Sequence, residues 1–251
     1  MTGYLKVLFI KIKLFMREYV TVFFTVMFCP LMLLLFGCVY GNQPSQIFGG
    51  LGTIDISIPA FTGLIFCGNG IISFPIAVAT SRDQGELRRY KMTPMSPFMY
   101  LCAEMNAYML LSLFGILIMV IMGWLFYQAV FGGNILVVIL GILLSELSLF
   151  SCGMLVASVS KNGKMAQALG MLVGFPMMFL SGASMPVETM PEKLVQVVRF
   201  LPSFQQVKMI RAMWAGKSFG DYRNQVIYLI LTFVVCCVAS IRLFKWEGSR
   251  R

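Results

Sequence analysis

The sequence predicts an all-α integral membrane protein: six transmembrane helices, an N-terminal amphipathic interfacial helix, one charged helix on the cytoplasmic side and a pair of short amphipathic helices on the extracellular side. Composition, the spacing of apolar runs and the placement of basic residues carry this. Of 251 residues, 59% are hydrophobic and 12% charged, where a soluble domain carries about 25% charged residues. So little polar surface cannot cover a water-facing sphere; lipid removes that requirement if helices satisfy the backbone internally. Residues 1–251 read as a single transmembrane domain.

Residues 1–19 are too charged to span. At 100° per residue Lys6, Lys13 and Arg17 fall on one side, and Leu5, Leu8, Ile12, Phe15 and Tyr19 opposite, the pattern of a helix lying in the membrane interface. It serves either as an anchor or as part of a surface that meets a cytoplasmic partner. Six apolar segments follow: 20–40, 58–79, 105–126, 135–159, 165–180 and 225–244. Each is within or just below the roughly 20-residue length that crosses a bilayer. The first starts late, runs long and has no small-residue cleavage site after it, so it is expected to be retained. The fifth contains Gly170, Gly174 and Pro176, which predicts a kink whose freed backbone groups need protein neighbours.

The connection 81–93 carries Arg82, Asp83, Glu86, Arg88, Arg89 and Lys91. Asp83 and Glu86 have the spacing of an N-cap and its third helical residue, and Thr93-Pro94 is a stop signal. This predicts a short charged helix projecting from the membrane, with a solvated loop as the plainer alternative. In the connection 184–222, Leu194, Val197, Val198 and Leu201, then Val207, Ile210 and Trp214, recur at helical spacing. Two short amphipathic helices are expected there, capping the bundle.

Basic residues orient the chain. Lys6, Lys11, Lys13 and Arg17 precede the first segment; Arg82, Arg88, Arg89 and Lys91 follow the second; Lys161 and Lys164 follow the fourth; Arg242, Lys245, Arg250 and Arg251 end the chain. The connections 41–57 and 127–134 hold none. Six segments put both termini on one side, which the positive-inside rule makes cytoplasmic, in a multi-pass protein of the cell membrane. The net charge of +10 is thereby explained by topology. No basic block interleaved with aromatics tracks a phosphate backbone, so no nucleic-acid partner is expected.

Several chemistries are excluded. The chain has no His, which removes His-ligated metals, a His base and a Ser/His/Asp triad. Its seven Cys lie in or beside apolar runs without a CxxC spacing and read as free buried thiols, so no metal site is expected. Gly216-Lys217-Ser218 ends like a phosphate-binding loop, but Arg211 stands where the first Gly is required. The chain is therefore not expected to be an enzyme or to hold a cofactor. Glu104 and Glu146 fall at the start of the third segment and the middle of the fourth. An acid at mid-membrane must be neutral, paired or water-facing, so hydroxyls such as Ser145, Ser148 or Ser151, or a neutral carboxyl, are expected to compensate at Glu146, in a structural or a functional role; Glu104 reads as interfacial.

Residues 82–96 resemble the first intracellular loop of type 2 ATP-binding-cassette (ABC-2 type) exporter permeases, through Arg82, Gly85, Leu87, Arg88, Thr93, Pro94 and Ser96. A second stretch, through Gly182, Pro186, Met190 and Pro191, resembles that family's signature after the fifth span; Leu201-Pro202 departs from its usual Asn-Pro. The resemblance implies a drug- or antibiotic-exporter-like permease moving an antibiotic, peptide or lipid. In it, Arg82, Asp83, Gly85, Glu86, Arg88 and Arg89 would dock on a separate ATPase, Gly182, Pro186 and Pro191 would form an extracellular gate, and the helix pair of 184–222 would be re-entrant. It also implies two copies of that ATPase, which holds ATP and magnesium, and a second permease copy or paralogue. Export of a lipid-linked polysaccharide is the alternative within the class. A stand-alone proton-coupled carrier using Glu146 is the alternative outside it, although no internal repeat of the carrier kind is visible.

Overall fold

The computed structural model of the chain describes residues 2–17, 19–43, 50–86, 97–182 and 190–244. Among them every regular element is a helix: α1 (Thr2–Phe15), α2 (19–40), α3 (Thr53–Asp83), α4 (Pro97–Tyr127), α5 (Ile135–Val159), α6 (Gly163–Leu180), α7 (Glu192–Val198), α8 (Pro202–Trp214) and α9 (Phe219–Leu243). Helices α3, α4, α5, α6 and α9 are long and apolar enough to cross a membrane; the apolar part of α2, Thr25–Tyr40, is shorter. The chain is an all-α, multi-pass integral membrane protein.

Helix limits depart from the hydrophobic runs where a polar residue belongs to a helix rather than to a connection. Helix α3 starts at Thr53, not 58, because Asp55 accepts the Gly52 N–H at 3.1 Å and caps the first turn. Helix α4 starts at Pro97, well before 105; proline suits a first turn, whose N–H has no partner in any case. Helix α9 starts at Phe219, not 225, where Asp221 accepts from the Ser218 N–H and Oγ at 3.1 and 3.0 Å. Asp83 does not begin a separate helix: it ends α3, and Gly85, at φ 76°, follows in the left-handed region that glycine occupies at no steric cost.

Two stretches wind as π-helix, Phe23–Phe28 in α2 and Cys67–Ser73 in α3. Each ends just before a proline, Pro30 and Pro75. A helical proline clashes with the carbonyl four residues earlier, here Val26 or Ile71, inside the π stretch. Widening the helix there relieves the clash at the expense of its hydrogen-bond ladder. Glycines of neighbouring helices cover the carbonyls in these stretches. A Cβ on Gly115 (α4) would meet the Thr25 carbonyl oxygen at 2.6 Å, one on Gly170 (α6) the Ile71 oxygen at 2.9 Å, and one on Gly153 (α5) would overlap the Gly70 oxygen. Small residues allow backbones to approach where lipid supplies no hydrophobic drive between helices.

Two apolar clusters fill the bundle. At the end marked by Asp55, α3, α5, α6 and α9 pack around α8, whose Phe204, Val207, Met209, Ile210 and Met213 are buried. At the end marked by Arg82, α1 packs on α4 through Phe15 and Tyr108, and Phe74 of α3 and Phe150 of α5 extend the same cluster. The two short helices expected in the last connection are thus unequal. Only Val198 of α7 is buried, whereas α8 is seated within the bundle. Helix α9 turns Ile230, Leu231, Val234, Val235 and Val238 outward, which suits lipid.

Candidate functional site

At the Arg82 end, the residues expected to form one docking surface point in different directions. Arg82 is buried, donates to the Ser160 carbonyl beyond the end of α5 and lies 5.6 Å from the Phe244 ring at the end of α9. A guanidinium there answers the partial negative charge of a helix C-terminus. It thus joins the ends of three helices. Asp83 is exposed and Gly85 half-exposed. Glu86 faces inward and accepts from the Tyr100 hydroxyl at 2.9 Å. Arg88 and Arg89 lie outside the described residues.

Tyr100 extends this network to α1. Its oxygen accepts from Lys11 Nζ, which also sits over the ring at 4.4 Å from its centre. Lys11 in turn forms an ion pair with Glu104 at 2.6 Å. Burial would lower the Lys11 pKa, but Glu104 and Tyr100 outweigh it and hold the pKa above its ordinary value. Asn106 donates to the Tyr4 hydroxyl, and the Phe15 and Tyr108 rings meet edge to face at 4.0 Å. Helix α1 is thus clamped along α4 by Tyr4, Lys11 and Phe15. Its buried face is Val7, Leu8, Lys11, Ile12 and Phe15; Leu5 and Tyr19, expected on that face, are exposed. Glu104 is buried on α4 as the partner of Lys11.

A polar ladder crosses the middle of the bundle. Thr25 Oγ1 (α2) donates to Asn69 Oδ1 (α3) at 2.8 Å, Asn69 Nδ2 donates to Ser112 Oγ (α4) at 2.8 Å, and Ser112 donates to the Tyr108 carbonyl at 3.0 Å. Glu146 of α5 neighbours Ser112 without reaching hydrogen-bond geometry. It is fully buried, and neither of its oxygens has a hydrogen-bond partner among the described residues. The serines expected to compensate it do not. Ser145 donates to the Gly141 carbonyl and Ser151 to that of Ser148, while the buried Ser148 hydroxyl finds no partner. A helical serine within reach of a carbonyl one turn back bonds to its own helix. Thr25, Asn69 and Ser112 escaped the sequence reading, although Asn69, between Gly68 and Gly70 in an apolar run, signals its cost as clearly as Glu146 does.

At the opposite end a second carboxylate was also missed. Asp55 is buried and accepts from the N–H groups of Gly52 and Val130, at 3.1 and 2.8 Å, and from Asn42 Nδ2 at 3.3 Å. The Val130 carbonyl accepts from Trp214 Nε1 at 3.1 Å. Asp55 therefore ties the connections on either side of α2 and α4 to α8. Of the expected gate residues, Gly182 follows α6 at φ 92° and Pro191 precedes the first turn of α7; Pro186 lies outside the described residues. Deeper in, Gln206 Nε2 of α8 donates to Thr62 Oγ1 of α3 at 2.9 Å, buried. Among the described residues no cluster of His, Cys, Asp and Glu is fit to hold a metal.

Residues 40–242 match the ABC-2 family transporter protein domain. Over 217 residues the chain is 24% identical to the inner membrane transport permease YhhJ of Escherichia coli (strain K12) and equally to that of Shigella flexneri, covering 83% of this chain and 54% of theirs. It spans about half the length of these curated relatives. It is also 30% identical to nodulation protein J of Rhizobium leguminosarum bv. viciae over 98 residues, 38% of each chain.

Proposed function

This chain belongs to the ABC-2 family of transporter proteins, and from that membership we propose that it is the membrane-spanning permease subunit of an ATP-driven exporter. The observation that carries this reading is the family match over residues 40–242, within which the elbow 82–86 is wired through Tyr100 and Lys11 to α1. ATP and magnesium would be held by two copies of a separate cassette ATPase, and a second permease copy or paralogue would complete the path. Arg82 serves as the fixed base of the elbow and Glu86 as its tie to Tyr100, while Asp83, Arg88 and Arg89 present charge to the ATPase. A push on the elbow has two routes into the bundle: along α3, and across to α1 and α4.

Cargo of amphipathic or lipophilic character fits a chain whose faces toward the membrane are apolar and whose centre holds a polar ladder. The Arg82 end is cytoplasmic on this reading, with both termini, and α7 and α8 lie at the outer face. Reversing Arg88 and Arg89 to Glu should lower ATP-dependent transport at least tenfold while membrane insertion is unchanged. Undiminished transport and ATPase assembly in that variant would sink the proposed coupling.

Topology has its own test at Lys193, exposed in the first turn of α7. In a variant without the native cysteines, Lys193→Cys should react with a membrane-impermeant maleimide added to intact cells. Labelling only after the membrane is opened would invert the orientation.

A further inference from the structure

Between α4 and α5 lies a groove of about 400 Å³, walled by Ile116, Leu117 and Trp124 on one side and Ile139 and Ile142 on the other, with Trp214 of α8 among its lining. Leu117, Trp124 and Ile139 are about half exposed or more, so the groove opens sideways to the membrane. One helical turn toward the Arg82 end, the chemistry of both walls changes. Residues four apart share a helix face, so Ser112 lies below Ile116 and Glu146 below Ile142. The lining of the groove stops at Leu113 and Ile142, one turn short of the fully buried Glu146, whose oxygens have no hydrogen-bond partner among the described residues. Helices α4 and α5 contain no Lys or Arg at all, and α3 only Arg82 at its far end.

We propose that this groove is a binding site for lipophilic cations, with the apolar body between α4 and α5 and the positive charge at Glu146. A carboxylate offers acceptors only, and among the described residues neither Glu146 oxygen meets a cation or a hydrogen-bond donor at bonding distance. A cationic ligand supplies the missing charge. A neutral or anionic amphiphile of the same shape would leave the carboxylate as costly as before. The proposal rests on the reading of this chain as a permease for amphipathic cargo and names the class of that cargo.

Equilibrium binding of tritiated tetraphenylphosphonium to the purified full chain in lipid nanodiscs tests it, with tetraphenylborate as an anion of the same shape. Wild type should bind the cation at least tenfold more tightly than Glu146→Gln and should prefer it to the anion. Leu117→Trp, on the membrane side of the groove, should weaken cation binding with Glu146 untouched. Equal binding by wild type and Glu146→Gln, or equal binding of cation and anion, would overturn the proposal. Should Glu146→Gln fail to elute as a folded species, Leu117→Trp and the cation–anion comparison decide the matter. Neither nucleotide nor ATPase is present in this assay, so its failure leaves the permease reading standing. Failure of the chain to co-purify with an ATPase would strike that reading and leave the cation site intact.

Discussion

Valine at position 153 is expected to destabilise the bundle by about 3 kcal/mol, the upper range for overpacking a tight interior. The first atom of any side chain there would overlap the carbonyl oxygen of Gly70, a backbone atom inside a π-helical turn. Backbone cannot swing aside as a side-chain tip can, so α3 and α5 must separate. Gly70 itself is confined, since a Cβ on it would meet the Phe150 ring at 2.9 Å. Gly68, two residues away, has open space where its Cβ would be, and Gly68→Val is the matched control. Thermal unfolding of purified protein should show a large loss for Gly153→Val and little for Gly68→Val. Equal losses would mean that contact between α3 and α5 at this point does not limit stability.

Breaking the Lys11–Glu104 pair is the second large effect. Their side chains are only 12% and 6% exposed, and removing one partner of a buried pair costs about 3 to 5 kcal/mol, because the remaining charge stays buried without its counterpart. Lys11→Met should therefore loosen α1 from α4, seen as faster proteolysis of α1 and a lower unfolding midpoint. Adding Glu104→Gln should recover part of the loss. The pH dependence has a definite sign. Lys11 is held above its ordinary pKa, so its contribution is full below the unfolded lysine value of about 10.4 and is lost as pH rises through the higher folded value. The difference between wild type and Lys11→Met should accordingly stay constant from neutral pH to about 9, within reach of the unfolded value. A difference that vanished in that window would rule out the ion pair as its cause.

Apolar length made the helices legible in the sequence; their ends and their pairings were less so. Ile135–Val159 is bounded by polar connections, and hydropathy alone delimits it. Where a carboxylate sits inside a helix, hydropathy stops too early. Asp55 is the first-turn cap of α3 and Glu104 the buried partner of α1, yet both carry the charge that usually marks a connection. Pairings between distant elements, Lys11 with Glu104 or Thr25 with Asn69, leave no local trace, because each depends on which faces of two helices meet. Arg82 was expected beside Asp83 on a common exposed surface. Helix α3 instead continues through both, and adjacent helical positions differ by about 100°, enough to turn one inward and the other out.

A π-helical turn holds one residue more than the α-helical turn it replaces. If Cys67–Ser73 rewound as α-helix, everything beyond it would advance by one position, turning about 100° and shifting about 1.5 Å along the axis. The arm so turned is 74–83, with Arg82 near its tip, and the turn would carry the guanidinium off the Ser160 carbonyl and away from the Phe244 ring. At its other end the same rewinding would draw Asn69 from Thr25 and Ser112. One residue of winding therefore acts as a crankshaft, joining the polar centre of the bundle to the seat of the charged elbow in a single rotation.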